Sequence, residues 1–151
     1  SETPVCIADD MIMVTGEVER TTPFEKGMPN ALMEKNGELV QDPIIDDQAI
    51  AMKLKGKGLV VISGCAHAGI VNTLMFAQKT IGEQKIHAVL GGFHLMTKTQ
   101  RRINSIVQRF LELGVKKVGP THCSGIDAIN SFKKVYKDDC YTLMVGEEIK
   151  I

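Results

Sequence analysis

Three histidines follow apolar runs at almost equal intervals. His67 comes after Val60-Val61-Ile62-Ser63-Gly64-Cys65-Ala66, His94 after Ala88-Val89-Leu90-Gly91-Gly92-Phe93, and His122 after Val118-Gly119-Pro120-Thr121. The steps are 27 and 28 residues, close to the roughly 30 residues of one strand-plus-helix unit. Neutral imidazole and thiolate are the donors that a metal such as zinc takes. Cys65 with His67, and His122 with Cys123, supply four such donors on two segments. The alternative for each histidine is a capped or solvated side chain at a strand end. Thiol chemistry, with Cys65 or Cys123 activated by a nearby imidazole, ranks last because no third orienting group can be named. His87 lies inside an apolar run and reads as structural or solvent-facing.

Gly64, Gly69, Gly91, Gly92, Gly119 and Gly125 surround these histidines. Glycine permits close backbone approach and positive φ. Loops that open into helices present amides that attract phosphate or carboxylate. The pattern admits an anionic small-molecule substrate, with Lys98, Arg101 and Arg102 able to add positive charge. Strand-to-helix turns use glycine in any case, and the basic cluster also fits a solvated helix face. The mixed charges from Thr15 to Glu25 could orient a substrate; otherwise they read as a solvated loop.

The elements that must position these residues divide the chain by texture. Residues 1–58 read as β-rich and irregular. Ile12-Met13-Val14 is a short strand, and Asp9-Asp10 before it resembles a hairpin already in progress. Leu32 to Val40 reads as a second hairpin with Asn36-Gly37 at the turn. From residue 59, strands alternate with helices. Leu59 to Ser63, Ile86 to Leu90 and Val115 to Val118 read as strands, the first buried on both faces. Ile70, Leu74, Ala77 and Ile81 recur at helical spacing, with Gly82 as the stop. Ile103, Ile106, Val107, Phe110 and Leu113 form the next helical face, capped by Thr97 or Thr99 and stopped by Gly114. Ile126, Ile129, Phe132, Val135 and Tyr136 mark a third helix, and Tyr141 to Val145 a final strand. In a parallel sheet built this way the three histidines emerge at the carboxyl edge, where open α/β sheets bind ligands.

The bulk numbers narrow the function classes. At 151 residues the chain reads as a single domain, residues 1–151. Eighteen basic and eighteen acidic side chains cancel, which removes the electrostatic case for nucleic acid or a membrane surface as partner. Aromatics are 5% and tryptophan is absent, which weakens base stacking. No apolar run approaches the roughly 20 residues of a membrane span. Cys65 and Cys123 beside the histidines suit reduced thiols and a cytoplasmic location. Cys6 and Cys140 read as small buried core residues.

Several segments resemble one branch of the metallo-β-lactamase superfamily. They are Val61-Ile62-Ser63-Gly64-Cys65-Ala66-His67-Ala68-Gly69-Ile70-Val71-Asn72, Gly91-Gly92-Phe93-His94-Leu95, and Pro120-Thr121-His122-Cys123-Ser124-Gly125. Thr15-Gly16-Glu17-Val18-Glu19-Arg20 and Asp42-Pro43-Ile44-Ile45-Asp46-Asp47 are similar to it too. This is the branch named after 7,8-dihydropterin-6-methyl-4-(β-D-ribofuranosyl)-aminobenzene-5′-phosphate synthase, a dihydropteroate-synthase-like activity.

The resemblance implies an α/β fold: the C-terminal half of an αβ/βα sandwich, a mixed sheet covered by helices. It implies a divalent metal, zinc by preference, with His122 as the late ligand and Cys65 or His67 as ligand from the earlier loop. It gives His94 a catalytic, substrate-orienting part, and gives substrate contact to Glu17, Arg20, Gly91, Gly92 and Thr121. The main metal motif of the superfamily, H-x-H-x-D-H, belongs to the first half and does not occur in this sequence. A binuclear site therefore needs the missing N-terminal half or an oligomeric partner, and this chain alone is expected to be inactive. Two readings result. One is a metal-dependent hydrolase-like or pterin-processing enzyme, incomplete here. The other is a non-catalytic binding or structural module that holds one zinc through Cys65, His67, His122 and Cys123.

Overall fold

The computed structural model describes residues 2–151. Its main sheet has six strands in the order β1-β2-β5-β6-β7-β8. These are β1 (Val5–Ile7), β2 (Ile12–Val14), β5 (Ala49–Leu54), β6 (Gly58–Ser63), β7 (Ile86–Gly92) and β8 (Lys117–Thr121). The first four run antiparallel to their neighbours, while β6, β7 and β8 are parallel. The parallel pairs are joined by α1 (Ile70–Ile81) and α2 (Gln100–Glu112), and α3 (Ile126–Tyr136) follows β8. A separate two-stranded sheet, β3 (Leu32–Lys35) with β4 (Glu38–Gln41), is the hairpin that Asn36-Gly37 predicts. Both turn residues have positive φ, 55° and 83°, as a type I′ turn requires.

The helices pack on one face of the main sheet. Met13, Ala51, Leu59, Val61, Val89 and Val118 point into a core completed by Ile70, Leu74, Ile103, Ile106, Phe110 and Phe132. Each large apolar side chain buried this way contributes roughly 1.5–3 kcal/mol. Phe93, Phe110 and Phe132 form a three-ring cluster with centroids 5.0–5.5 Å apart. Phe93 is the residue just before His94, so this cluster anchors the His94 loop in the core.

The opposite face is open in part, around Ile50 and Ile62, while Val60, Ala88 and Leu90 on it are buried. Strand register places Val14, Ile50, Ile62 and Leu90 in one row across four strands. Ile50 and Ile62 are 42% and 39% exposed. The expectation that Leu59 to Ser63 is buried on both faces therefore holds for Val60 but not for Ile62. Leu90 is the covered end of the row: Gly119 has no side chain, and Leu143 packs across it beside Leu90.

Three further expectations are corrected. Residues 141–145 are not a strand. After one bridge between Cys140 and Val118, and a bond from the Tyr141 N–H to the Val118 carbonyl at 2.8 Å, the chain leaves the sheet edge as Leu143 crosses its face. Cys6 is exposed, because β1 is the edge strand. The part read as irregular also contributes a regular strand, β5, to the main sheet. The segment Ala49-Ile50-Ala51-Met52 alternates buried and outward side chains, but its two alanines, like Lys53 after it, carry little β-propensity.

Candidate metal centre

Because β6, β7 and β8 are parallel, the loops that follow them leave the same edge. Antiparallel β5 begins at that edge, with Ala49 opposite Ser63, and so brings Asp47 to it. Buried serine hydroxyls tie the loops together. Ser63 Oγ donates to the Gly92 carbonyl at 2.7 Å, Ser124 Oγ donates to the Thr121 carbonyl at 2.7 Å, and the Phe93 N–H donates to Ser124 Oγ at 3.1 Å. Ala66, His94 and His122 all have positive φ, 57°, 47° and 51°. A non-glycine residue held in this region costs of order 1–3 kcal/mol. Three such residues on three converging loops make this edge one of the strained parts of the fold, along with the turn at Ala8, Asp9 and Asp10.

Cys65 and His122 meet here, Sγ to Nε2 3.2 Å. Cys123 joins them, and one donor atom from each of the three residues lies within 4.8 Å of the others. Cys123 Sγ also donates to the Cys65 carbonyl at 3.4 Å. Burial pushes the Cys123 thiol up to about 11, and neighbouring Cys65 adds to the shift. Gly92 makes the approach possible: a Cβ there would lie 2.4 Å from the Gly64 carbonyl oxygen and 2.9 Å from Cys123 Sγ. Two sulfurs and an imidazole nitrogen suit a borderline-soft divalent metal such as zinc. Three protein ligands also leave a fourth position for another donor.

His67 is placed elsewhere in the same edge. Its ring stands edge-on to His94, centroids 4.7 Å apart. Its Nδ1 lies 3.6 Å from Asp47 Oδ1, and its backbone N–H donates to Asp47 Oδ2 at 2.7 Å. Asp47 Oδ1 also accepts from the Cys65 N–H at 3.4 Å. One carboxylate thus holds both ends of the Cys65–His67 loop. His94 and His67 line a small cleft with Lys26, Lys98, Arg102 and Glu25. Burial, then the neighbouring His67 and Lys98, push the His94 pKa down, with Asp47 opposing, which favours its neutral ring.

No protein-family model matches this chain. It is 38% identical to the 7,8-dihydropterin-6-methyl-4-(β-D-ribofuranosyl)-aminobenzene-5′-phosphate synthase of Methanocaldococcus jannaschii, over 92% of this chain and 48% of that protein. An uncharacterised protein of the same organism is 34% identical over 84% of this chain and 45% of its own length. A solved metal-dependent hydrolase of the β-lactamase superfamily superposes on the whole chain with a TM-score of 0.84 at 33% identity, covering 57% of that structure. In fold the chain matches the β-lactamase superfamily of metal-dependent hydrolases. It spans about half the length of the curated relatives it matches, a share consistent with the C-terminal half to which its motifs correspond.

Within this superfamily fold, the other residues named from sequence separate into two groups. Gly91 and Gly92 are at the site, and close packing accounts for both: a Cβ on Gly91 (φ 109°) would lie 2.1 Å from the Ser63 carbonyl oxygen. Thr121 closes β8 beside His122, and its Oγ1 reaches the Leu143 carbonyl at 3.5 Å. Glu17 and Arg20 do not join the Cys65–His122–Cys123 cluster. Glu17 is exposed, and its N–H donates to the Glu2 carbonyl. The Arg20 guanidinium donates to the Pro43 carbonyl and lines a different cleft with Lys26, Gly27 and Asp42.

The segment Thr15 to Glu25 is not simply a solvated loop, since Thr15, Val18 and Glu25 are buried. The Glu25 carboxylate accepts from the Val71 and Asn72 N–H groups at 3.1 and 2.9 Å. The N-terminus of α1, which the glycine pattern offers to an anionic ligand, is therefore filled by the protein's own carboxylate. Thr21 and Thr22 N–H groups donate to Asn72 Oδ1 and lock this loop to α1. Glu25 and Asp47 carried only weak signals in the sequence. Asp47 lies inside a segment shared with the branch, and Glu25 is one acidic residue in a mixed-charge run.

Proposed function

We propose that this chain is the metal-holding C-terminal half of a metallo-β-lactamase-superfamily enzyme that acts on a phosphorylated, pterin-type substrate. The observation that carries the reading is the convergence of Cys65, His122 and Cys123 at the carboxyl edge of three parallel strands. The 38% identity to a pterin-phosphate synthase supports the substrate class. A bound zinc would supply Lewis acidity and a water of lowered pKa. Cys65, His122 and Cys123 would hold it, and a reducing, cytoplasmic setting would keep both thiols available as ligands. Asp47 fixes the loop that bears Cys65 and His67. His94, neutral and paired with His67, orients substrate in the cleft, where Lys26, Lys98 and Arg102 favour an anion.

The open part of this row, around Ile50 and Ile62, is the face that would dock a second, sheet-bearing half, which supplies the H-x-H-x-D-H ligands. Large exposed apolar surfaces mark such contacts, and relatives about twice as long have the residues to cover it. The test is complementation. Co-expression with an N-terminal half carrying H-x-H-x-D-H should give a stable complex whose turnover of a phosphorylated pterin depends on zinc and is lost in His122→Ala. A complex that forms and turns over equally well with His122→Ala would overturn the reading.

A second reading is a structural zinc module. The same sulfur-rich donor set favours it, because two thiolates and an imidazole are common in structural sites. It predicts that chelation unfolds the chain. Under the enzyme reading the core on the helical face keeps the chain folded without metal.

A further inference from the structure

The two thiols of the candidate metal centre come from loops 58 residues apart in sequence, yet nothing large separates them. Cys123 Sγ and the Cys65 Cα both lie about 3 Å from the point where a Cβ of Gly92 would stand. Cys123 Sγ points at the Cys65 carbonyl, and the sulfurs are among donors all within 4.8 Å of one another. Both cysteines are half-buried rather than sealed, whereas Cys140 is buried and Cys6 lies on the distant edge strand. A disulfide needs its sulfurs at about 2.05 Å. Side-chain rotation at two loop cysteines covers much of the remaining distance, and the glycine at position 92 leaves the space between them free.

We propose that Cys65 and Cys123 form a reversible disulfide when the site is empty of metal, making this edge a peroxide-sensitive modification site. The oxidant is hydrogen peroxide. The Cys65 sulfur attacks one peroxide oxygen, the O–O bond breaks, and water leaves with the thiol proton, giving a sulfenic acid. The Cys123 sulfur then attacks the Cys65 sulfur. The S–O bond breaks, the S–S bond forms, and a second water carries off the Cys123 proton. Two thiols are oxidised and one hydrogen peroxide is reduced to two waters. The product has lost two of the three donors that converge here, so oxidation and metal binding exclude each other. The disulfide stands on the placement of the two sulfurs; only that mutual exclusion rests on the metal reading.

The experiment treats the purified chain, metal-free, with hydrogen peroxide, then counts thiols under denaturing conditions and maps the alkylated peptides by mass. The expected result is a fall from four titratable thiols to two, with a Cys65–Cys123 cross-linked peptide lighter by two hydrogens and restored by dithiothreitol. Cys65→Ser and Cys123→Ser should each abolish that peptide. Sulfinic acid at Cys65 without a cross-link, or cross-links chiefly to Cys6 or Cys140, would overturn the proposal. A parallel arm with zinc bound separates the two claims. Protection of both thiols supports a shared site, whereas an unchanged yield of the 65–123 peptide leaves the disulfide standing and contradicts the metal reading.

Discussion

Asp47 grips the loop between Cys65 and His67 from one side: its carboxylate takes the His67 backbone N–H at 2.7 Å and lies 3.6 Å from His67 Nδ1. The contact spans two elements, because Asp47 precedes β5 and the histidine follows β6. It sets the direction of both potential ligands of that loop, since the Cys65 N–H reaches the same carboxylate. Asp47→Ala should leave these N–H groups without their partner at a cost of about 1–3 kcal/mol. Groups that orient metal ligands also change metal affinity by roughly 10–100-fold. Urea unfolding with and without zinc separates the two effects. A variant that loses stability but keeps full zinc affinity would show that Asp47 supports only the fold.

Glu25 gives a pH signature. Burial raises its pKa, and the backbone bonds from Asn72 and Val71, the Thr22 hydroxyl and nearby Arg102 only partly oppose this. At a pH between the ordinary and the raised value, the folded protein therefore holds a proton on Glu25 that the unfolded chain has released. Stability should fall as pH rises from the ordinary glutamate value through the raised folded value. Glu25→Gln should flatten that slope while still accepting a backbone N–H from α1. Unfolding measured from the ordinary glutamate value upward in pH checks the sign. A slope unchanged in the variant would assign the dependence to other groups.

Gly92→Ala should be costly despite the smallness of the change. The new methyl would meet the Gly64 carbonyl oxygen at 2.4 Å and Cys123 Sγ at 2.9 Å. Overpacking of this kind costs about 1–3 kcal/mol, and it would also drive the Cys65 and Cys123 loops apart. Loss of zinc affinity beyond the loss of stability is the expected result, read by calorimetry on protein that remains folded. Gly82→Ala serves as the contrast, because its added Cβ meets nothing within 4 Å and only its φ of 71° is unfavourable.

The open sheet face predicts a separation between stability and association. Ile62→Lys should change the unfolding free energy of the chain by no more than about 0.5 kcal/mol, as exposed positions do. The same substitution should block co-purification with an N-terminal half. A large loss of stability in the isolated chain would mean that Ile62 is already packed.

Much of this was legible because it followed period and spacing. Hydrophobic recurrence marked all three helices, and the steps between His67, His94 and His122 measured the βα units that bring them to one edge. The Asn36-Gly37 turn marked its hairpin. What escaped depended on contacts between distant segments. Nothing local to Glu25 reveals that it fills the N-terminus of α1, 46 residues away. Nothing local to His67 says that it turns towards Asp47 and His94 while Cys65 turns towards His122 and Cys123. Residues 141–145 alternate like a strand, but Leu143 leaves the edge to cover Leu90 across Gly119, which the alternation could not foretell.

The central claim is that Cys65, His122 and Cys123 hold one divalent metal together. Cobalt(II) substitution tests it most directly, because thiolate-to-cobalt charge transfer reports sulfur ligation and the visible bands report geometry. The account predicts one equivalent bound by the reduced chain, with a sulfur charge-transfer band that weakens in Cys65→Ser and in Cys123→Ser and with visible bands that change in His122→Ala. A stoichiometric cobalt spectrum without any sulfur band, or one that both cysteine variants leave intact, would contradict it.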